Sequence, residues 1–315
     1  MFDDERIAKL DLFTRTALGL AALVCVTAPL YSRLSLDLRG TALPAATLLL
    51  MIGLAVVYGR WRPAPRLAAA AAMTADLVAF GLVFGTASYL VAAADRPMMA
   101  ADFAAADRHL GFDWQAYVAL VRATPILSAL LHVGYVSMVV QLGIVVVAFG
   151  LFGRLQWLRI TVDTFGLMAL ATIVLSGLFP AVDADVYFGL SVPHLTPHGW
   201  TAELARVQDF LNLRDGYLTR IPVADLTGIV TFPSFHTMCG FLYAAAFAQF
   251  RYLRWPAVVL NGFLIAATPV FGGHYLIDMI SGMALAAGIL AAVVAFVRVR
   301  APVSALVLAT ADNGS

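Results

Sequence analysis

The chain has 315 residues, of which 62% are hydrophobic and 12% charged, with a formal net charge of +1. A soluble domain is about 45–50% apolar and about 25% charged, so this composition excludes an ordinary water-soluble globule and points to a bilayer. The near-neutral charge carries no sign of a nucleic-acid partner, and none is expected.

A transmembrane helix needs about 20 mainly apolar residues. In chain order, eight segments read as spans: 12–31, 41–59, 67–93, 126–150, 160–180, 235–251, 255–271 and 275–297, the sixth and seventh short. The N-terminus, Met-Phe-Asp-Asp-Glu-Arg, is acidic before it is basic, and no small-residue cleavage site follows the first apolar run. A removable signal peptide is therefore not expected. Cys25 and Cys239 lie in apolar stretches without CxxC spacing and read as small buried hydrophobes. Asp76 in the third span, Gln141 in the fourth and Asp163 near the inner end of the fifth read as helix-packing groups, as does His132. Trp61, Trp157, Trp200 and Trp255 fall near span ends and read as interface anchors.

An even number of spans puts both termini on one side. That side carries twelve Lys/Arg, nearly all in short loops, and the other carries eight, six of them in the two long connections 94–125 and 181–234. The positive-inside rule then places the termini in the cytoplasm and the long connections outside, as for a plasma or bacterial inner membrane. Within 98–120, Asp102, Asp107, Arg108 and Asp113 alternate with Phe103, Phe112, Trp114 and Tyr117, a mixture suited to a helix lying in the interface. Pro193, Pro197, Gly199 and Pro222 break the second connection, where short interfacial helices such as 201–213 are expected to cap the bundle. The expected fold is an all-α polytopic membrane bundle of about eight transmembrane helices, divided into N-terminal helices 1–93 and a catalytic portion 94–315.

Two motifs stand at the outer ends of the last three spans. One is Phe232-Pro233-Ser234-Phe235-His236-Thr237, and the other is Gly272-Gly273-His274-Tyr275-Leu276-Ile277-Asp278. The two histidines are 38 residues apart, the length of one out-and-back hairpin, so both reach the outer face. Pro233 and Ser234 suit the first turn and cap of a helix, where backbone N–H groups and the helix dipole favour an anion. His274 and Asp278 are four residues apart, on one helical face. A carboxylate there holds the proton of one imidazole nitrogen and leaves the other as a lone pair aimed at substrate. The two glycines allow backbone to approach a phosphate. One histidine then serves as nucleophile and the other as general acid. The run from His194 to His198 has no carboxylate or Cys at ligand spacing, so no metal is expected.

The Pro-Ser-x-His and His-x-x-x-Asp pair resembles the type-2 phosphatidic acid phosphatase superfamily. The likeness runs from about Pro97 to Gly282 and is strongest over 214–282. The forms Phe-Pro-Ser-Phe-His and His-Tyr-Leu-Ile-Asp, with the stretch Asp107–Tyr117, are more similar to the branch that includes inositol phosphorylceramide synthase. The resemblance implies that His274 attacks phosphorus to give a phosphohistidine, that Asp278 orients it, and that His236 protonates the leaving oxygen, without a cofactor. The superfamily's phosphatases have an Arg where this chain has Thr268, and their Lys-x6-Arg-Pro motif is met only by Arg96-Pro97, with Tyr89 in place of the Lys. A phosphoryl site still needs cations. Of the outward arginines 96, 108, 122, 206, 214 and 220, Arg214 is favoured, ahead of Arg96 and Arg220, with Ser234 and Gly273 completing the expected phosphate site.

The expected activity is cleavage of a lipid-linked phosphate ester, with the phospho-headgroup passing to a lipid hydroxyl or to water. The expected partners are the lipid phosphate, a lipid acceptor and the surrounding membrane lipids. A plain phosphatidic acid or polyprenyl pyrophosphate phosphatase is one alternative. A non-catalytic lipid-binding or transport protein is another, and it predicts paired broken helices at mid-membrane.

Overall fold

The computed structural model describes residues 2–94, 96–190, 200–226 and 228–298, with the backbone alone over 200–205. The helices are α1 (Asp4–Thr27), α2 (Ala42–Val56), α3 (Pro65–Ala92), α4 (Ala100–His109), α5 (Trp114–Ala123), α6 (Pro125–Leu151), α7 (Leu155–Leu178), α8 (Ala184–Tyr187), α9 (Trp200–Asp215), α10 (Phe235–Phe247), α11 (Arg254–Phe271) and α12 (Leu276–Val297). Two three-residue strands, β1 (Ser35–Asp37) and β2 (Arg220–Pro222), pair in parallel. The chain is thus an all-α multi-pass membrane bundle.

Seven segments among the described residues are long and apolar enough to cross a membrane: Asp4–Tyr31, Ala42–Trp61, Pro65–Ala92, Pro125–Leu151, Leu155–Leu178, Arg254–Phe271 and Leu276–Val297. The remaining expected span, 235–251, is shorter than its apolar run. Its helix α10 has 13 residues, about 20 Å at about 1.5 Å per residue, against a hydrocarbon core of about 30 Å. Met238, Cys239, Leu242 and Tyr243 are buried in the bundle. The N-terminal end of α10 meets protein, where the Ser234 N–H donates to the Asp278 carbonyl of α12. At the other extreme, α2 has no buried residue, and Leu43, Leu49 and Leu50 are exposed along it. Such a face suits hydrocarbon.

The two ends of the described chain meet. Phe2 forms an antiparallel bridge with Arg298, the Asp3 N–H donates to the Val297 carbonyl at 2.8 Å, and the Arg6 guanidinium donates to the carbonyls of Phe296 and Arg298. The contact places both described ends at one end of the bundle, as an even number of passes does. The main core lies between α3, α6, α7 and α10, around Phe80, Phe84, Val145, Phe149, Val162 and Tyr243. Several polar groups inside the bundle pair across helices, which offsets the cost of a low-dielectric setting. Arg15 binds Asp76 at 2.8 Å and Arg159 binds Asp11, tying α1 to α3 and α7. Gln141 and Asn261 exchange hydrogen bonds of 3.2 and 2.8 Å between α6 and α11.

The connection 94–125 forms two helices where one interfacial helix is expected. Gly111, at φ +77°, turns the chain after α4, and Asp113 starts α5 by accepting from the Ala116 N–H at 2.9 Å. In the second connection α9 covers the expected helix 201–213; Pro193, Pro197, Gly199, His194 and His198 lie outside the described residues, as does the side chain of Trp200. Helix α9 is held down from the N-terminal part of the chain. Tyr89 donates to Asp209 at 2.8 Å, Arg33 donates to the Leu213 carbonyl at 3.0 Å, and β1 pairs with β2 just beyond.

Candidate active site

Helices α10 and α12 start side by side. Ser234 caps α10, its Oγ accepting from the Thr237 N–H at 3.3 Å, and its own N–H donates to the Asp278 carbonyl at 3.0 Å. The crossing is close because Gly282 faces it: a Cβ there would lie 2.6 Å from the Ser234 oxygen. Larger residues would push the two helix starts apart. The result is that the rings of His236 and His274 approach to 5.7 Å between centroids, inclined at 62°. The structure therefore brings the two expected histidines together.

Each histidine is fixed by its neighbours. Tyr135 of α6 stacks on His236 at 4.7 Å and 15°. His274, 1% exposed, places Nδ1 3.4 Å from Asp278 Oδ2, and that oxygen also accepts from the Tyr275 N–H at 2.9 Å. The loop preceding His274 is closed by the Thr268 carbonyl, which accepts from the N–H groups of Gly272 and His274. The Thr268 hydroxyl turns back to the Ile265 carbonyl.

The stretch Asp107–Tyr117 is a clamp on this loop. Asp107 accepts from the N–H groups of Leu276 and Ile277 at 2.8 and 2.9 Å. Trp114 Nε1 donates to the His274 carbonyl at 3.2 Å, and the Tyr117 hydroxyl donates to the Ala266 carbonyl at 2.6 Å. The anion-favouring N-terminus of α12 is thereby filled by a carboxylate of the protein itself. Burial raises the Asp107 carboxyl above its ordinary value, against the pull of those two backbone bonds.

On the other flank, the loop before α8 crosses the glycines. Gly273, at φ +63°, accepts at its carbonyl oxygen from the Ala184 N–H at 2.7 Å, and a Cβ on it would lie 2.7 Å from Asp183 Cβ and 2.9 Å from Asp185 Oδ1. Only glycine suits both that backbone and that approach. Asp183 accepts from Thr231 Oγ1 at 2.8 Å and binds Arg206 of α9 at 2.7 Å, and Arg206 also donates to the Gly272 carbonyl at 3.4 Å. Burial pushes the His274 imidazole down to about 4. The Asp183 carboxylate pulls it up, Arg206 adds to the depression, and the Thr231 carbonyl opposes it. At neutral pH the ring is uncharged, and Nε2, buried, has no hydrogen-bond partner among the described residues.

The other expected phosphate ligands are placed differently. Arg214 donates to the carbonyls of Ala94 and Arg96 at 3.1 and 2.6 Å and lies over Phe210, pinning α9 to the end of α3. Arg96 and Arg220 are exposed, the latter on β2. Ser234 is spent on capping, and Gly273 makes room for the 183–185 loop. The arginine beside the histidine motif is Arg206. Its sequence signal was weak, because nothing around it matches a motif; Asp183, Asp185 and Tyr135 gave none at all. Among the described residues, no three His, Cys, Asp or Glu side chains converge as metal ligands.

A bundle of this kind, with two apposed histidines and an arginine at one end, is a multi-pass membrane protein with a candidate active site. The sequence pattern of the PAP2 superfamily matches residues 101–292, a stretch holding both histidine motifs, the clamp and Arg206. The chain belongs to that superfamily. No curated protein and no solved structure matches the chain.

Proposed function

We propose that the protein cleaves a lipid-linked phosphate ester through a phosphohistidine on His274 and passes the phospho-headgroup to a lipid hydroxyl. The observation that carries this reading is the His274 Nε2 lone pair, buried, unpartnered and one ring away from His236. In the first half-reaction, Nε2 attacks phosphorus while Asp278 holds the Nδ1 proton. The bond from phosphorus to the leaving oxygen breaks, and that oxygen takes the proton of His236. In the second, an acceptor oxygen attacks phosphorus, gives its proton to His236, and the bond from phosphorus to nitrogen breaks. Arg206 balances the phosphoryl charge, exchanging part of its pairing with Asp183 for the substrate.

Transfer over hydrolysis is supported by Thr268, which stands where the superfamily's phosphatases have Arg and so aligns the chain with the inositol phosphorylceramide synthase-like branch. The Lys/Arg distribution supports an extracytoplasmic site, since the arginine-rich short loops lie at the terminus end of the bundle. Hydrolysis of phosphatidic acid or polyprenyl pyrophosphate is the same first half-reaction with water as acceptor.

The test gives purified protein labelled phosphatidic acid, polyprenyl pyrophosphate and phosphatidylinositol, with and without ceramide or diacylglycerol. Label moving to the acceptor lipid supports transfer, and free phosphate alone means a phosphatase. His274→Ala is expected to lose the phosphoenzyme and at least about 1,000-fold in turnover. Unchanged turnover in that variant would remove the reading.

A further inference from the structure

One carboxylate beside the nucleophile has no role in the chemistry above. Asp185 is 7% exposed, and neither of its oxygens has a hydrogen-bond partner among the described residues. It is not a remote surface group. The Ala184 N–H bonded to the Gly273 carbonyl holds its loop against the second motif, and Asp185 Oδ1 lies 2.9 Å from where a Gly273 Cβ would stand. Gly273 immediately precedes His274.

Its neighbour shows what a satisfied carboxylate at this place looks like. Asp183 has Arg206 at 2.7 Å and Thr231 Oγ1 at 2.8 Å. The guanidinium is therefore bonded to Asp183 and acts on Asp185 only through its charge; the N–H groups of Asp185 and Val186 lie near the Asp185 carboxylate, but neither oxygen has a well-formed hydrogen bond. A buried acceptor without a donor is unfavourable and rare in native proteins. The arrangement makes sense where a ligand brings the donor. A phosphoryl oxygen cannot do so, because it is itself an anionic acceptor and is repelled by the carboxylate. An alcohol hydroxyl can.

We infer that Asp185 is a specificity-determining residue, accepting hydrogen bonds from an alcohol hydroxyl of the substrate next to the reacting phosphorus. The hydroxyl belongs either to the donor's headgroup or to the acceptor. This rests on the proposed lipid-phosphate chemistry and deepens it: the enzyme selects a hydroxylated partner over a bare phosphate monoester.

The experiment compares wild type, Asp185→Asn, Asp185→Ala and His274→Ala as purified full-length proteins, checking each for monodispersity and thermal unfolding. The donors are phosphatidic acid, which has no headgroup hydroxyl, and phosphatidylinositol; the acceptor arm adds ceramide. A site built to bond a hydroxyl loses selectivity when the bond is removed. The expected result is a fall of about tenfold or more in the kcat/KM ratio between the hydroxylated substrate and phosphatidic acid. A change in the phosphatidylinositol ratio assigns the hydroxyl to the headgroup, and a rise in the KM for ceramide assigns it to the acceptor. Equal losses on every substrate, with a lowered unfolding temperature, would show a structural carboxylate and overturn the inference. So would unchanged ratios for every hydroxylated substrate that the wild type turns over. Turnover surviving in His274→Ala instead sinks the parent reading, which separates the two failures.

Discussion

Asp107 carries a prediction that tests the clamp directly. Its two oxygens accept from the N–H groups of Leu276 and Ile277 at 2.8 and 2.9 Å, and the side chain is 2% exposed. In Asp107→Asn, one oxygen remains as a neutral acceptor and the other becomes an NH2 group facing an N–H. One charge-assisted bond is lost, at about 1.5–3 kcal/mol, and the remaining bond weakens. The favourable term between a carboxylate and the α12 N-terminus, about 0.3–1 kcal/mol, disappears as well. The total is about 3 kcal/mol, or roughly 6 °C in unfolding temperature at about 2 °C per kcal/mol. Thermal unfolding of the purified protein reads this. His274 lies two residues before the clamped pair, so turnover should fall by about tenfold or more through misplacement of the proposed nucleophile. A temperature shift below about 1 °C, with turnover intact, would refute the clamp.

Further outcomes follow from the site. His274 is pushed down to about 4 by burial, so the uncharged nucleophile persists well below the ordinary histidine range. The acid limb of kcat/KM should rise with pH through a midpoint near 4, and a midpoint near 6.5 would contradict that environment. The same shift predicts that folding stability falls as pH drops from about 6.5 towards 4, because the unfolded chain takes up the proton first. Arg206→Ala leaves Asp183 buried without its cation and should destabilise by about 3–5 kcal/mol. The double variant Asp183→Asn with Arg206→Met removes both charges and should recover most of the unfolding temperature. It should leave turnover down by at least about 100-fold, because the phosphoryl charge is no longer balanced. Recovery of both properties would remove Arg206 from phosphate binding.

The apolar runs made the membrane helices legible, because a 20-residue hydrophobic stretch has few other uses. Spacing also brought His236 and His274 to one end, since the motifs sit one hairpin apart and the hairpin has no room to do otherwise. The expected span runs four residues past the end of α10, because Ala248 and Phe250 continue the apolar pattern into the turn. The surroundings of the arginines are less legible for a different reason. Arg214 was chosen by its position before the first motif, yet its guanidinium faces the carbonyls of Ala94 and Arg96. Arg206 lies two helical turns earlier on α9, and only the path of that helix over the bundle brings it to Gly272 and Asp183. Sequence spacing fixes which residues share a helix face, and the docking of that face is a tertiary fact.

That docking ties the catalytic site to the first part of the chain. The superfamily match begins at residue 101, but α9 is anchored by groups that precede it: Tyr89 on Asp209, Arg33 on the Leu213 carbonyl, and the carbonyls of Ala94 and Arg96 under Arg214. β1 then pairs with β2 beyond the helix. The histidines are held by α6, α10 and α12, which pack around them, whereas Arg206 is held by a helix fastened to another part of the chain. The proposed nucleophile and acid are thus fixed to each other, and the proposed phosphate-balancing cation is fixed to the N-terminal part of the chain. Loosening β1–β2 or the Arg33 bond should therefore weaken substrate binding while leaving the spacing of the histidines alone, a separation that the geometry imposes on any account of this enzyme.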